Sequence, residues 1–322
     1  MIKYKTIGPG GFAGAILLTL LLTAILYFTG GFNVIEGNLG VCLPSPDLWN
    51  IPREWSWGIN LALILVCGVG LIFFNKAYSV IQTADLVLPS MFLVLTACTP
   101  WAGGPLGSSS LMAVTNLICL SAIFACYKSR NATQQVFTVA TLLSVGSMFQ
   151  YAFIFLMPGY ILIGLMMKCF RIKELIAFML GIAAPYWIAI GMGLIPLEAF
   201  HLPSFSTLFD KVTPGSELLI GCVTLGFTAL VGVIMALNNA VKLYAGNSQR
   251  RLYNNAIAVL GLICVAGMIL DFNNLPTYLA TFFITIAVQI ANTFALWNIR
   301  RGHLWLLGIT TLYVTVFLIM AL

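Results

Sequence analysis

The stretch FTVATLLSVGSMFQYAFIFLMPGYILIGLMMKCFRIKELIAFMLGIAAPYWIAIGMGL, residues 137–194, decides the fold of this chain. It contains two long apolar runs, and its only charged residues lie between them, at 168–174. The apolar residues follow one another continuously instead of alternating with polar ones, which favours α-helices over β-strands. Because the hydrocarbon core of a bilayer needs about 20 residues of helix, these runs predict helices that cross a membrane.

The rest of the chain has the same composition. Of its 322 residues, 61% are hydrophobic and only 7% are charged. A soluble domain carries about 25% charged residues, and a soluble protein of this composition would lack the polar residues to cover its surface. We therefore predict an all-α polytopic membrane protein. Residues 1–322 are expected to form one transmembrane domain, a single bundle of about eleven helices.

The apolar runs give eleven candidate spans, two of which are short. The spans lie near 11–29, 57–74, 86–101, 109–127, 134–156, 158–170, 175–195, 217–237, 252–270, 276–299 and 304–321. Spans 86–101 and 158–170 fall short of a straight crossing, and Pro or Gly residues flank each of them. We expect at least one of the two to be broken or steeply tilted, with neighbouring helices covering its freed backbone groups.

Basic residues indicate the orientation. If the spans alternate, thirteen of the fifteen Lys and Arg residues fall on one side: Lys3, Lys5, Lys76, Lys128, Arg130, Lys168, Arg171, Lys173, Lys242, Arg250, Arg251, Arg300 and Arg301. Only Arg53 and Lys211 fall on the other side. The positive-inside rule then places the N-terminus in the cytoplasm, and eleven spans place Leu322 outside.

Several function classes are disfavoured. The basic residues are scattered over short loops and do not form the stripe that a nucleic-acid partner would need. The sequence contains no CxxC or HExxH pattern, and His201 and His303 are predicted on opposite sides, so we predict no metal site and no cofactor. Seven of the eight cysteines lie in or at the ends of apolar runs, where packing is their expected role.

Few polar residues are expected at membrane depth. They are Asn60, Asn116, Gln150, Gln289 and Asn292. Asn and Gln in transmembrane helices commonly join one helix to another by hydrogen bonds, which is the role we expect here. Asp271, with Asn273 and Asn274, precedes Pro276 at a predicted helix boundary and is interpreted as a helix cap.

The two longest outer loops, 30–56 and 196–216, both mix aromatic residues with prolines. This composition is typical of anchoring in the headgroup zone, and it would equally suit loops that roof an outward-facing cleft. The candidates for acid, base or metal chemistry in these loops are Glu36, Asp47, Glu54, His201 and Asp210. A catalytic carboxylate among them should lie in a concave site and have a shifted pKa, whereas in a non-catalytic subunit the five should be scattered over the outer surface with no shared pocket.

The central and C-terminal sequence resembles a family of uncharacterised polytopic inner-membrane proteins of Bacteroides-type bacteria. The resemblance covers roughly residues 60–320 and includes the stretches 124–188, 248–263 (SQRRLYNNAIAVLGLI) and 273–301 (NNLPTYLATFFITIAVQIANTFALWNIRR). Its landmarks are Pro158, Arg171 with Glu174, Gly181 with Pro185, Arg250 with Arg251, and Leu275 with Pro276. It implies a multi-pass protein of the bacterial inner membrane and assigns no reaction.

A fainter similarity is to multi-span glycosyltransferases that use polyprenyl-phosphate sugars. It rests on the predicted inside N-terminus, an acidic first outer loop and short paired helices. The chain departs from that group because its first outer loop has the isolated acids Glu36 and Asp47 where the group has an Asp-Asp or Asp-Glu pair. No soluble domain is expected after the spans.

Three function classes follow. The first is a non-catalytic membrane subunit of an envelope-biogenesis or secretion assembly, with a membrane-protein partner. The second is an outer-face enzyme that acts on a polyprenyl-linked or other lipid-linked substrate, by analogy with the glycosyltransferases. The third is a transporter or flippase for a neutral or lipid-like substrate. In all three the lipid bilayer surrounds the chain, and no nucleic acid is involved.

Overall fold

A computed structural model describes residues 7–29, 40–82, 86–127, 129, 131–200, 216–244, 248–297 and 302–321. These ranges form α-helices and short 3₁₀ turns, and they contain no β-strand. The α-helices are α1 Pro9–Thr29, α2 Arg53–Tyr78, α3 Val87–Ala97, α4 Pro100–Gly103, α5 Ser108–Ala125, α6 Thr133–Phe149, α7 Ala152–Met166, α8 Ile172–Gly191, α9 Ser216–Tyr244, α10 Ser248–Leu270, α11 Leu275–Trp297 and α12 Gly302–Ala321. The all-α prediction is confirmed for this part of the chain.

Among the described residues, eight helices are long and apolar enough to cross a membrane: α1, α2, α5, α8, α9, α10, α11 and α12. The chain is therefore a multi-pass membrane protein. Helices α3, α6 and α7 are shorter, with 11, 17 and 15 residues. The count of about eleven spans and the inside-to-outside orientation remain predictions.

Helices α3 and α11 form the centre of the bundle. All residues of α3 are buried, and nearly all of α11 is buried as well. Helix α11 packs against α3, α5, α9 and α10, while α3 also packs against α1 and α2. Helix α8 packs mainly on α6, and α12 lies at the periphery beside α9. The two central helices are therefore shielded from lipid, and α11 carries five buried polar side chains along its length: Thr277, Thr281, Thr285, Gln289 and Asn292.

The short span 86–101 is a broken helix, as predicted. Helix α3 ends at Ala97, and Thr99 is extended because the following Pro100 disfavours the helical conformation at that position. Asn60 of α2 donates hydrogen bonds from Nδ2 to the carbonyl oxygens of Ala102, at 3.2 Å, and Gly104, at 2.7 Å. A neighbouring helix thus covers the freed backbone groups, which also gives Asn60 its expected joining role.

The second predicted break is displaced. Pro158, expected to begin the second short span, lies inside α7, and the chain breaks instead between α6 and α7, where Gln150 is extended. The predicted boundary between 156 and 158 is therefore wrong. The carbonyl groups at the end of α6 accept hydrogen bonds from backbone N–H groups of the first outer loop, including Leu43 to Met148 at 2.9 Å. This pairing fixes the beginning of the loop segment that carries Asp47.

Two landmark helix starts were predicted correctly. Helix α8 begins after Arg171, whose backbone N–H donates to Oε2 of Glu174 at 3.2 Å. This is half of a capping box, which satisfies one of the free donors of a helix N-terminus. Helix α11 begins at Leu275, followed at once by Pro276, and Pro near a helix start costs no backbone hydrogen bond.

Candidate functional site

One end of the bundle contains a cavity of about 560 Å³. Its wall combines the loop before α2, the first turns of α2, the segment from α4 to the start of α5, and the first residues of α11. Leu26 adds the last turn of α1. All of these elements meet at the end of the bundle that the basic residues predict to face outside. We refer to this space as the Asp47 cavity.

Asp47 lies in a 3₁₀ turn, Pro46–Leu48, and its side chain is exposed in the wall of the cavity. Its Oδ2 accepts hydrogen bonds from the hydroxyls of Ser45, at 2.6 Å, and Ser108, at 2.7 Å. Its other oxygen lies against Gly107, where an added Cβ would come within 2.5 Å of Oδ1. The carboxylate is thus held in one orientation while it remains accessible from the cavity.

A chain of hydrogen bonds extends from Asp47 into the bundle. Ser108 Oγ lies 3.1 Å from Oγ1 of Thr277, which accepts a hydrogen bond from Nε2 of Gln150 at 3.0 Å. Ser108 gives its single hydroxyl proton to Asp47, so Thr277 must donate to Ser108 and accept from Gln150. Every hydrogen in this arm therefore points toward the Asp47 carboxylate.

A second arm begins at the same amide nitrogen. Nε2 of Gln150 donates to Oδ1 of Asn274 at 2.7 Å, and Nδ2 of Asn274 donates to Oδ1 and Oδ2 of Asp271 at 3.0 and 2.9 Å. Tyr278 donates to Oδ2 of Asp271 at 3.3 Å. Asp271 is fully buried. The amide of Gln150 thus donates hydrogen bonds to two arms, and each arm ends on a carboxylate.

This arrangement changes the interpretation of Asp271. It occupies the N-cap position of the 3₁₀ turn Phe272–Asn274, but its carboxylate makes no capping bond to the backbone. The helix-cap prediction is therefore incomplete, because the carboxylate belongs to the buried hydrogen-bond network instead. Asn116 of α5 makes a further polar contact with α11. Its Nδ2 donates to Oγ1 of Thr281 at 3.0 Å, and its Oδ1 accepts from the hydroxyl of Tyr160 at 2.8 Å.

Arg53 brings a positive charge to the same cavity. Its Nη2 donates a 2.7 Å hydrogen bond to the carbonyl oxygen of Tyr27, and its guanidinium lies 4.9 Å from the centre of the Tyr27 ring. These contacts use one donor of a group that has five. Arg53 is therefore anchored to the end of α1, and among the described residues its other donors make no hydrogen bond, which leaves them available to an anion in the cavity.

Three tryptophans complete the wall: Trp49, Trp57 and Trp101. Trp49 donates from Nε1 to the carbonyl oxygen of Pro44 at 3.2 Å, and Trp57 packs edge-on against Tyr27 at 5.6 Å. Aromatic walls with a few placed polar groups are typical of small-molecule sites. The cavity thus offers flat apolar surfaces, one accessible carboxylate and one guanidinium to the same ligand.

The structure separates the predicted candidates. Asp47 lies in the cavity, whereas Glu54 is exposed on the first turn of α2 and does not line it. Glu36, His201 and Asp210 lie outside the described residues. The described part of the second outer loop packs beside the first, because Ala199 and Phe200 contact the hydrophobic cluster that contains Cys42. Burial raises the pKa of the Cys42 thiol, which keeps it protonated and unreactive.

The sequence reasoning missed Ser108 and Thr277 and did not assign Arg53 to the site. One sequence signal marks the network, because polar residues recur every fourth position along the otherwise apolar α11: Thr277, Thr281, Thr285, Gln289 and Thr293. Residues four apart lie on one face of a helix. Among the described residues, no group of three His, Cys, Asp or Glu side chains is placed to hold a metal ion.

Comparison with known proteins gives no relative. No protein-family model matches the chain, no curated protein matches it, and no solved structure matches its fold. The Asp47 cavity and its hydrogen-bond network are therefore the grounds on which a function is argued.

Proposed function

We propose that this chain is an inner-membrane enzyme that transfers a sugar from a polyprenyl-phosphate carrier to a hydroxyl acceptor in the Asp47 cavity. The observation that carries the proposal is the position of Asp47, an accessible carboxylate held in a cavity of about 560 Å³ by two serine hydroxyls. A general base needs this combination of fixed orientation and access to the substrate. The proposal develops the fainter similarity to polyprenyl-dependent glycosyltransferases.

The residues of the cavity have distinct roles in this reaction. Asp47 takes the proton of the acceptor hydroxyl as its oxygen bonds to the anomeric carbon of the donor sugar. The bond from that carbon to the phosphate oxygen breaks, and the carrier phosphate leaves with the electron pair. Arg53 lies in the same wall, and its guanidinium stabilises the charge that develops on the phosphate.

The membrane position of the cavity supports a lipid-linked substrate. The wall includes Leu26 in the last turn of α1 and Trp57 of α2, and these side chains offer apolar surface to the first isoprene units of a carrier. Tryptophan is enriched where membrane proteins meet the headgroup zone, and Trp55 lies exposed at the same end. A head group in the cavity and an isoprenoid tail in the bilayer fit this boundary.

The alternatives predict other arrangements. A non-catalytic subunit of an envelope or secretion assembly has no need of an oriented acid in a pocket, and a scattered set of loop acids was its expectation. The position of Asp47 in a concave site favours the enzyme, and Glu54, the other described candidate, lies outside that site. A transporter needs a pathway to both ends, whereas the elements that line this cavity all meet at one end.

The test is substitution of Asp47 with a matched acid as control. Asp47→Asn keeps the shape and removes the base, while Glu54→Gln changes an exposed acid of the same loop that does not line the cavity. The purified variants are placed in vesicles with a radiolabelled polyprenyl-phosphate sugar and a membrane extract as the source of acceptors. The measurement is the transfer of label from the carrier to an acceptor.

We expect Asp47→Asn to lower transfer by about 100-fold or more, within the range typical for loss of a general base. Glu54→Gln should keep the wild-type rate. Equal transfer by all three proteins would remove Asp47 from catalysis. Absence of transfer in the wild type, together with a stoichiometric membrane partner in mild detergent, would instead support the subunit.

A further inference from the structure

A second cavity lies at membrane depth, away from the Asp47 cavity. It is a cleft of about 310 Å³ with walls from α9 and α10 and a floor from α11. Its rim residues face outward: Val233 is 40% exposed, Leu237 63% and Leu262 53%. Since α9 and α10 are both long enough to span a membrane, this opening, which we call the α9–α10 cleft, faces the lipid.

Small residues make the cleft deep. On α9 its wall contains Gly232, Ala236 and Ala240, spaced four apart, and Ala258 lies opposite on α10. An added Cβ at Gly232 would collide with Ile286 of α11, so this glycine serves packing inside the chain. Ala236 and Ala240 remain partly exposed within the cleft. Such spacing lets another helix approach closely, but small residues alone do not identify a ligand.

Gln289 on the floor provides an independent observation. It is only 2% exposed, and its Oε1 accepts a hydrogen bond from Nδ2 of Asn239 at 3.0 Å. Its Nε2 has no acceptor among the described residues. Turning the amide over would place this nitrogen against the donor of Asn239, so the unpaired group is fixed as a donor. Gln289 lines the floor of the cleft, and its unpaired Nε2 is itself buried beneath the surface of that floor.

The depth of Gln289 restricts the source of an acceptor. It lies eight residues before the end of α11 at Trp297, which is about 12 Å along the helix axis. The polar Asn255 of α10 lines the cleft about 10 Å from the start of its own helix, close to the same level. Phospholipid tails at this depth carry no acceptor, and an unsatisfied donor in hydrocarbon is costly.

We propose that the α9–α10 cleft binds a transmembrane helix of a partner protein. The partner helix has small residues on its contacting face and places the oxygen of an Asn, Gln, Ser or Thr side chain opposite Gln289. The side chain enters between Ala236 and Ala258, and a small shift of the side chains on the floor brings the buried Nε2 within hydrogen-bond distance of its oxygen. This interaction is separate from sugar transfer and does not depend on the Asp47 cavity.

The experiment uses the full chain, carrying a fluorescent C-terminal tag, in phosphatidylcholine vesicles. The probe is a labelled host helix of Leu and Ala with Lys ends, made with a single Asn at the level of Gln289 and, separately, with Leu at that position. Energy transfer measures binding of each peptide. Interhelical hydrogen bonds of this kind contribute little each, so we expect the Asn peptide to bind about fivefold tighter.

Two variants assign the site. Gln289→Met removes the donor, while Asn239 keeps its bond to the backbone oxygen of residue 289, so the advantage of the Asn peptide should disappear. Ala236→Leu fills the cleft and should weaken both peptides. Gly226→Leu is the control, because Gly226 faces open space on the same helix and does not line the cleft.

Three outcomes would overturn the proposal. The first is equal binding of the two peptides by the wild type. The second is an Asn advantage that persists in Gln289→Met, with Ala236→Leu also binding normally. The third is energy transfer between copies of the chain that Ala236→Leu abolishes, which would assign the cleft to a second copy. Each variant is first shown to be monodisperse in detergent, so that misfolding is not counted as loss of binding.

Discussion

The hydroxyl of Ser108 donates a 2.7 Å hydrogen bond to Oδ2 of Asp47, although the two residues are 61 positions apart. Ser108 is the first residue of α5, and Asp47 lies in the loop before α2. The bond therefore joins the first outer loop to the helical bundle. It also connects the accessible carboxylate to the buried network of Thr277, Gln150 and Asn274, so the orientation of Asp47 depends on two residues, Gln150 and Asn274, that do not line the cavity.

Gly107→Ala should displace the Asp47 carboxylate without removing it. Gly107 has φ −139° and ψ 177°, an extended backbone that alanine adopts freely, but the new methyl group would lie 2.5 Å from Oδ1. We expect sugar transfer to fall by about tenfold or more, because small misplacements of a catalytic group are costly. The measurement is the transfer assay, with thermal unfolding in detergent as the check on folding.

Gly58→Ala is the control for this substitution. Gly58 lies on α2 with nothing within 4 Å of an added Cβ, and alanine in a helix is preferred over glycine by about 0.5–1 kcal/mol. It should keep full transfer and unfold at the same temperature or slightly higher. If Gly107→Ala transfers sugar at the wild-type rate, the exact position of the Asp47 carboxylate does not matter for the reaction.

Thr277→Val should weaken the reaction by loosening the support of Asp47. The substitution keeps the shape and removes the hydroxyl that links Ser108 to Gln150. Loss of one such hydrogen bond costs about 1 kcal/mol, and we expect transfer to fall about fivefold. Thr277→Ser should restore the rate, since it returns the hydroxyl.

The matched control for Thr277 is Thr311→Val on α12. Thr311 is exposed, and among the described residues its hydroxyl bonds the carbonyl oxygen of Gly308 in its own helix, at 2.9 Å. It should leave transfer unchanged. If Thr277→Val and Thr311→Val behave alike, the chain of hydrogen bonds has no part in positioning Asp47.

The sequence was sufficient for the class of fold and for one of the two helix breaks. Continuous apolar runs identify membrane helices because lipid admits no unpaired backbone, and Pro100 marks the end of α3 by its effect on Thr99. The break at Gln150 was missed because its side chain is held by Asn274, 124 positions away. Pro158, a stronger local signal, is accommodated inside α7.

The functional site was predictable only in part from the sequence. Asp47 was one of five candidates because the helix interiors of so apolar a chain supply almost no ionisable groups, which leaves the outer loops to provide them. Its partners were not predictable, since Ser108 and Thr277 are ordinary residues at helix starts that meet only in the folded bundle, 169 positions apart. The fourfold spacing of polar residues on α11 indicated a functional face, but it did not indicate which end of the helix held the site.

The orientation of the chain can be tested with reporters. The basic residues place the loop at 243–249, between α9 and α10, in the cytoplasm and Leu322 outside. A phosphatase that is active only outside the cytoplasm should be active when fused after Leu322 and inactive when inserted at 243–249. The opposite pattern would place the Asp47 cavity on the cytoplasmic side of the membrane. Phosphatase activity at neither position would contradict the count of eleven spans.

Asn60→Leu should destabilise the protein by removing the cover of the broken helix. Asn60 is 2% exposed and donates to the carbonyl oxygens of Ala102 and Gly104, and leucine leaves both without that donor in a place where lipid cannot replace it. An unsatisfied buried polar group costs about 1–3 kcal/mol, so the free energy of unfolding should fall by at least that amount. The loss should also disturb the Asp47 cavity, because the segment that contains Gly104 continues to Gly107 and Ser108, which hold Asp47.

Val66→Leu is the control on the same helix. Val66 is 59% exposed, so this substitution should change the free energy of unfolding by no more than about 0.5 kcal/mol. Unfolding in detergent measures both variants, and equal stability of the two would mean that the segment from α4 to α5 holds its shape without Asn60.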